Sequence, residues 1–436
     1  MKPVTAGSRR SLHCVLLVFA CVCGLTACAT QTTKSAASTD AVENAPAAAP
    51  APAFVDTRWP VSVEAYRTTN EAIYLANLDS RISEYQRVSL EHPSASLETG
   101  LASALYHRFK IIGKIDDAER AMDLVDAAVR EEPDEASHRL LRATVYSAFH
   151  RFVEAEADLV LAAKSSDLPE IRQAQREIDL ALGRYDRLAA EFDPLAAPTD
   201  EFSELVHRAD LALMQGDLAS ANVLFRTAQI QYRDVNPVPL AWLHVQRGIG
   251  SLRYGDRASA LRFFAAAHER MPHYYLATEH LAEVLTALRR FNEARPLYQS
   301  VIAQTGNPEF IAALAALEQA AGNTQAAATR NIEAKSAYAA LYARHPDAYA
   351  QHYAEFLLAA AEPAQALVLA ERNVRLRQDV GSWILLARAA EANQDRGLAC
   401  DAHRNAVATG RNPPELTQLS ALAARCRESS SAEPRS

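Results

Sequence analysis

Four histidines and a scatter of carboxylates are the residues of this chain whose types could do chemistry. His273 and His280 stand seven residues apart, as do His345 and His352, and imidazole is the commonest protein ligand for a transition metal. Seven residues on a helix are two turns, a rise of about 10.5 Å, so both rings reach one ion only if other helices add ligands. Each pair begins at a proline, Pro272 or Pro346, and ordinary first-turn residues explain it; no metal is expected. Acid pairs such as Asp116-Asp117 and Glu131-Glu132 fall at helix ends, where solvated charge is the default. After residue 27 there is no glycine-rich phosphate loop, no His-Glu-x-x-His, no Gly-x-Ser-x-Gly and no Cys-x-x-Cys. Neither catalytic residues nor a cofactor site is expected.

The amino terminus carries a different chemistry. Lys2, Arg9 and Arg10 precede an apolar run from Leu12 to Leu25, too short to span a bilayer and laid out as a secretory signal. At its end Leu25-Thr26-Ala27-Cys28 resembles the lipobox of bacterial lipoproteins. The resemblance implies cleavage before Cys28, a thioether-linked diacylglycerol on its sulfur and an acyl group such as palmitate on its amine. Several acyl chains anchor stably where a single one is marginal, so the membrane is expected to be touched through the lipid alone. Ala29 in place of Asp implies sorting to the outer membrane, facing the periplasm. Ser8-Arg9-Arg10 also resembles a twin-arginine signal, although Leu12 and His13 stand where that pattern prefers Phe and Leu, and both export routes stay open.

Removing residues 1–27 leaves 42 basic and 53 acidic residues, a net charge of −11. With no basic stripe interleaved with aromatics, nucleic acid is excluded as a partner. Only Cys400 and Cys426 remain beside Cys28. In an oxidising compartment they are expected to form a disulfide, contributing about 3.5 kcal/mol in the chain-entropy picture; two free thiols are the alternative.

The elements that must position any site are helices. Alanine is abundant, glycine numbers only 14, and strand-like alternation is nearly absent. Nine positions recur as rungs: Ala118, Ala155, Leu188, Ala221, Ala260, Ala294, Ala327, Ala366 and Ala399, separated by 33 to 39 residues. Five residues before the rungs stands a turn position, filled by Gly113, Gly183, Gly216, Gly255 and Gly322. Twelve residues before them stand mostly small residues, as closely crossing helices require. Four residues after them Met122, Leu159, Phe192, Phe225, Phe264 and Tyr298 fill space, whereas Asn331, Ala370 and His403 do not. Prolines such as Pro169, Pro237, Pro308 and Pro346 mark the junctions. A period near 34 residues predicts stacked helix pairs.

These residues resemble the tetratricopeptide repeat (TPR) family, best over Ala241–Tyr274, where Gly248, Ala260, Phe264, Ala267 and Pro272 are all in place. The resemblance implies an all-α solenoid of about nine helix-turn-helix repeats coiled into a right-handed superhelix. The expected organisation is a signal peptide over 1–27, an acylated Cys with an Ala/Pro/Ser/Thr tether over 28–58, a divergent helical cap over 59–93, repeats over 94–412, a capping helix over 413–428 and a tail over 429–436. Arg176 and Leu188 depart from the pattern, so the third unit and the last three are expected to pack irregularly. The two 39-residue gaps predict a longer loop near Asn236–Pro239 and a longer second helix ending at Arg344.

In such stacks the first helices line a concave groove. The residues expected to face it are Trp242, Val245, Ile249, Asp210, Glu279, Glu283, Glu355 and Arg388, an aromatic anchor among carboxylates. Trp383 occupies the family's core position and is structural. The function this implies is a membrane-anchored periplasmic scaffold that holds an envelope protein as a helix or extended peptide in assembly of a pilus, secretin, barrel-protein or polysaccharide-export complex. The alternative is an enzyme or glycan-binding module using the groove carboxylates, which a close cluster of two carboxylates and a histidine would favour.

Overall fold

A computed structural model describes residues 66–191 and 201–431; the signal, Cys28, the whole tether, the first residues of the cap, Phe192, Pro198 and the end of the tail lie outside them. Among the described residues are 21 helices and no strand. α1 (Glu71–Glu91) is followed by nine pairs: α2 (Ala95–Ile112) with α3 (Ile115–Glu131), α4 (Ala136–Ala148) with α5 (Phe152–Ser165), α6 (Pro169–Ala181) with α7 (Tyr185–Glu191), α8 (Phe202–Gln215) with α9 (Leu218–Gln231), α10 (Pro237–Arg253) with α11 (Arg257–Arg270), α12 (Tyr275–Ala287) with α13 (Phe291–Thr305), α14 (Pro308–Ala321) with α15 (Thr324–Arg344), α16 (Pro346–Ala359) with α17 (Pro363–Leu376), and α18 (Val380–Ala392) with α19 (Arg396–Ala408). The chain closes with α20 (Pro414–Thr417) and α21 (Ser420–Ser431).

Local rules explain the boundaries. Every rung is the fourth residue of a second helix, and all nine are at most 2% exposed. At eight of the nine, Leu188 being the exception, the small side chain of alanine lets the partner helix cross closely. The residue five earlier always has positive φ, between 56° and 91°. Glycine meets this freely at five turns, while His150, Arg289, Ala361 and Gln394 hold the same left-handed conformation at four. Asp217, Asp256 and Asp395 cap second helices by accepting a backbone N–H three residues on, each at 3.0 Å. Asn236 and Asn307 cap first helices whose next residue is proline. Phe225, Phe264 and Tyr298 are completely buried, and truncating such a ring to alanine costs about 3–5 kcal/mol.

Several expectations need adjusting. Pro237–Pro239 is the first turn of α10, so the extra residues of that repeat divide between a loop at 232–236 and a long first helix. The other long gap is taken up by the 21-residue α15, which ends at Arg344 as expected. α1 begins at Glu71 and buries Leu78 and Ile82, whereas Ile73 and Leu90 are exposed. In unit three the described part of the second helix is Tyr185–Glu191, and Leu188 stands at its rung, 2% exposed. In the seventh unit, where Asn331 does not fill space, Ala334 and Tyr338 further along α15 are buried, with Tyr338 stacked on Tyr353.

The coil is tight. α10 buries fourteen of its seventeen residues and α12 eleven of thirteen, whereas α13 buries three of fifteen. The first helices α10 and α12 therefore lie in an inner layer covered on nearly all sides, and the second helix α13 in an outer layer covered on one. The reason is that successive superhelical turns touch. Arg270 donates to the Tyr66 carbonyl at 2.8 Å, Gln304 to the Ile112 carbonyl at 2.8 Å, and the Asn412 N–H to the Met214 carbonyl at 3.1 Å. His150 Nδ1 lies 3.1 Å from the Asp347 carbonyl, 197 residues away. Arg253 and Glu415 form a buried two-bond ion pair at 2.8 and 3.1 Å. Four of these separations fall near 200 residues and that of Arg253–Glu415 is 162, so one turn of the superhelix takes about five to six repeats.

Candidate functional site

The tight winding closes the groove expected of the first helices. Asp210 and Val245 are 0% exposed, Glu279 1%, Glu283 2% and Ile249 4%. Trp242 is half-buried, packed between the core around Phe264 and that around Phe225. Trp383 is also half-buried against the last core. Glu355 and Arg388 are half-buried; removal of the Glu355 carboxyl from water outweighs the Arg388 charge and pushes its pKa up to about 7. These residues do not form one accessible surface. Cys400 on α19 and Cys426 on α21 are joined, with Cα atoms 5.6 Å apart, tying the final helix to the last repeat.

What the fold brings together instead lies on α12. His280 Nδ1 is 2.9 Å from Glu279 Oε2 and 3.2 Å from Glu283 Oε2. One donor atom from each of the three residues fits within 4.8 Å of the others. Residues one before and three after a helical position can both turn toward its side chain. The imidazole stacks on Phe264 of α11, ring centres 5.1 Å apart and planes within 18°. Phe264 has room because Gly248 of α10 faces it: a Cβ there would stand 2.3 Å from the ring. A chain of contacts, Gly248 to Phe264 to His280, thus runs from repeat signature to site. His273 is elsewhere, bonded to Glu71 at the start of α1, and His345 pairs with Glu119 at 2.7 Å. The seven-residue histidine spacings do not converge.

Charge in this enclosure is strained. Glu283 is raised by burial and then by the Glu279 charge, with His280 opposing. Burial pulls His280 down, but the two carboxylates outweigh it and the net shift is upward. Glu309, 3% exposed on the next first helix, is raised well above the carboxylate range by burial and then by Glu279, Glu355 and Glu283. Glu279 Oε2, His280 Nε2, Glu283 Oε1 and Glu309 Oε1 are buried without a hydrogen-bond partner. Asp210 has both oxygens in that state and is likewise raised well above its usual range by burial. Such groups cost free energy unless something neutralises them. Two carboxylates around an imidazole could serve acid–base chemistry, but at 0–2% exposure an organic substrate has no route to them.

Sequence reasoning selected Glu279 and Glu283, weighed His280 only beside His273, and did not name Glu309. The signal was present: Glu-His-x-x-Glu spans one helical turn, whereas attention to His273 looked two turns away.

A model of the tetratricopeptide repeat matches residues 251–317, from the end of α10 through α14. The fold is an all-α solenoid of the TPR type. Among solved structures, yeast Tom70 is 13% identical, covering 82% of this chain and 94% of its own with a TM-score of 0.29. A TPR protein from Parabacteroides merdae is 16% identical, covering 65% and 98% with a TM-score of 0.36. Human IFIT1, as a dimer with PPP-AAAA, is 13% identical, covering 84% and 89% with a TM-score of 0.41. No curated protein sequence matches significantly. Among the described residues no helix is long and apolar enough to cross a membrane.

Proposed function

We propose that this protein is a lipid-anchored scaffold of the bacterial cell envelope, facing the periplasm from the outer membrane, that presents protein partners with the outer layer of its coil during assembly of an envelope complex. The anchor is Cys28, and the tether behind it lets the body stand off the membrane. The observation that carries the reading is the distribution of exposed apolar side chains. Within the helices of the nine pairs, Val153, Val160, Val223, Ile332, Val368 and Val407 are each 52% or more exposed, and all lie on second helices; Ile73 and Leu90 of α1 and Val235 before α10 are exposed as well. Val223 also lines a cavity of about 570 Å³ with Leu211 and Leu224, flanked by Arg208 and Arg411. Large apolar groups in water favour contact with a partner, and the arginines beside them suit an acidic or mixed-charge protein segment. The inner face, by contrast, offers a peptide nothing without uncoiling.

Photo-crosslinkers placed at Val223, Val368 and, as the inner-face control, Val245 test this in envelope preparations. Crosslinks to the same partner from the first two and none from the third support the scaffold reading. Partner crosslinks from Val245 alone overturn the outer-face assignment. Release of a Cys28→Ala chain from the membrane fraction is expected; continued membrane retention sinks the anchor.

The enzyme or glycan-binding alternative gains one observation, the Glu279–His280–Glu283 cluster. Its enclosure limits what can enter to something the size of a proton, water or ion.

A further inference from the structure

We propose that Glu279, His280 and Glu283 form an internal binding site for a first-row divalent transition-metal ion. Two donor atoms bound to one ion at 2.0–2.2 Å stand roughly 3.0–3.5 Å apart. The His280 Nδ1 distances of 2.9 Å to Glu279 and 3.2 Å to Glu283 are close to that requirement without any rearrangement of the helix. The donors also ask for a cation. Glu279 Oε2 sits beside Nδ1 yet has no hydrogen bond, and Glu283 Oε1 and Glu309 Oε1 are unpartnered as well. Each of these side chains is more than nine-tenths buried. Among the described residues no lysine or arginine pairs with Glu279, Glu283 or Glu309.

Donor chemistry selects the ion. One imidazole with carboxylates suits Zn²⁺, Mn²⁺ or Fe²⁺, whereas Ca²⁺ and Mg²⁺ prefer oxygen alone. Phe264 holds the ring in the plane in which Nδ1 faces both acids, so the ligand set is preorganised. All three donors come from α12, so the site is built on a single helix. This inference stands independently of the scaffold reading.

Because the site is enclosed, the full chain is unfolded in guanidinium and refolded with ZnCl₂, MnCl₂, MgCl₂ or EDTA, then dialysed and analysed by elemental mass spectrometry. About one Zn²⁺ or Mn²⁺ ion is expected per chain, with none for Mg²⁺, and a higher melting temperature than the EDTA sample. The Glu279→Gln/Glu283→Gln double variant is expected to retain less than about a tenth of that metal. It relieves charge repulsion and keeps shape, so it should fold and, without metal, melt no lower than the EDTA wild type. His92→Ala, at an exposed histidine, keeps full uptake. No retained Zn²⁺ or Mn²⁺ in the refolded wild type, or equal retention by the double variant, overturns the proposal.

Discussion

Substituting Gly183 by alanine measures how strongly successive turns of the superhelix lean on one another. Gly183 and Gly255 occupy the same place in their repeats, with φ of 76° and 85°, so a side chain at either pays the left-handed penalty of about 1–2 kcal/mol. Their surroundings differ. At Gly255 no atom lies within 4 Å of an added Cβ, whereas at Gly183 the Cβ would stand 2.7 Å from Asp379 N and Cα and from the Gln378 carbonyl. Those are backbone atoms one turn further along, and they cannot rotate away. Overpacking of this kind adds about 1–3 kcal/mol. Gly255→Ala is therefore expected to lose about 1–2 kcal/mol and Gly183→Ala about 2–5. Urea titration of both variants, followed by circular dichroism, reads the difference, and X-ray scattering shows whether Gly183→Ala relieves the clash by widening the coil. Equal losses with unchanged dimensions would refute the claim that the turns are in contact.

Ala361→Gly relieves a left-handed alanine and should stabilise by about 0.5–1 kcal/mol, seen as a higher urea midpoint with unchanged slope. Asp210→Asn tests the buried carboxyl: its raised pKa means the folded state holds a proton that the unfolded chain releases. Wild-type stability from this group is therefore greatest below the ordinary aspartate pKa and falls as pH rises from there toward the folded value, by up to about 1.4 kcal/mol per pH unit. The variant should be more stable at neutral pH and lose its advantage below about pH 4; a pH-independent difference would show that Asp210 is solvated. Glu415→Gln strips the charge from the partner of a deeply buried arginine and should cost on the order of 3 kcal/mol in the same titration. Reduction of Cys400–Cys426 should increase hydrogen exchange in α21 first, because that helix is joined to the last repeat by the bridge.

The repeats were legible because short-range rules write them: a small residue where helices cross, a turn five residues earlier, an aromatic four later. Even so, the left-handed turns at His150, Arg289, Ala361 and Gln394 carry no glycine, and only their position in the period marks them. The pitch of the coil was not legible. Whether Val245 or Glu283 faces a groove or a wall depends on small angles between neighbouring repeats, summed over five or six of them, and on contacts between residues such as His150 and Asp347 that no local pattern links. Position rules drawn from open superhelices therefore chose inner-face residues and took them to be exposed. The same closure turned two partner-contact candidates, Glu279 and Glu283, into walls of an internal cluster whose central residue, His280, had been judged by the wrong neighbour.

The contact between turns also bears on how such a chain can change over time. An open array tolerates gain or loss of one unit, because each unit answers only to those beside it. Here units also answer to others five or six places away, as Gly183 does to Asp379. Duplicating a single repeat between two such partners would shift their pairing out of phase, setting Arg253 opposite something other than Glu415. Lengthening by small steps is closed to this architecture, and unfolding, instead of fraying inward from an end, should proceed as one cooperative event in the way of a compact globule.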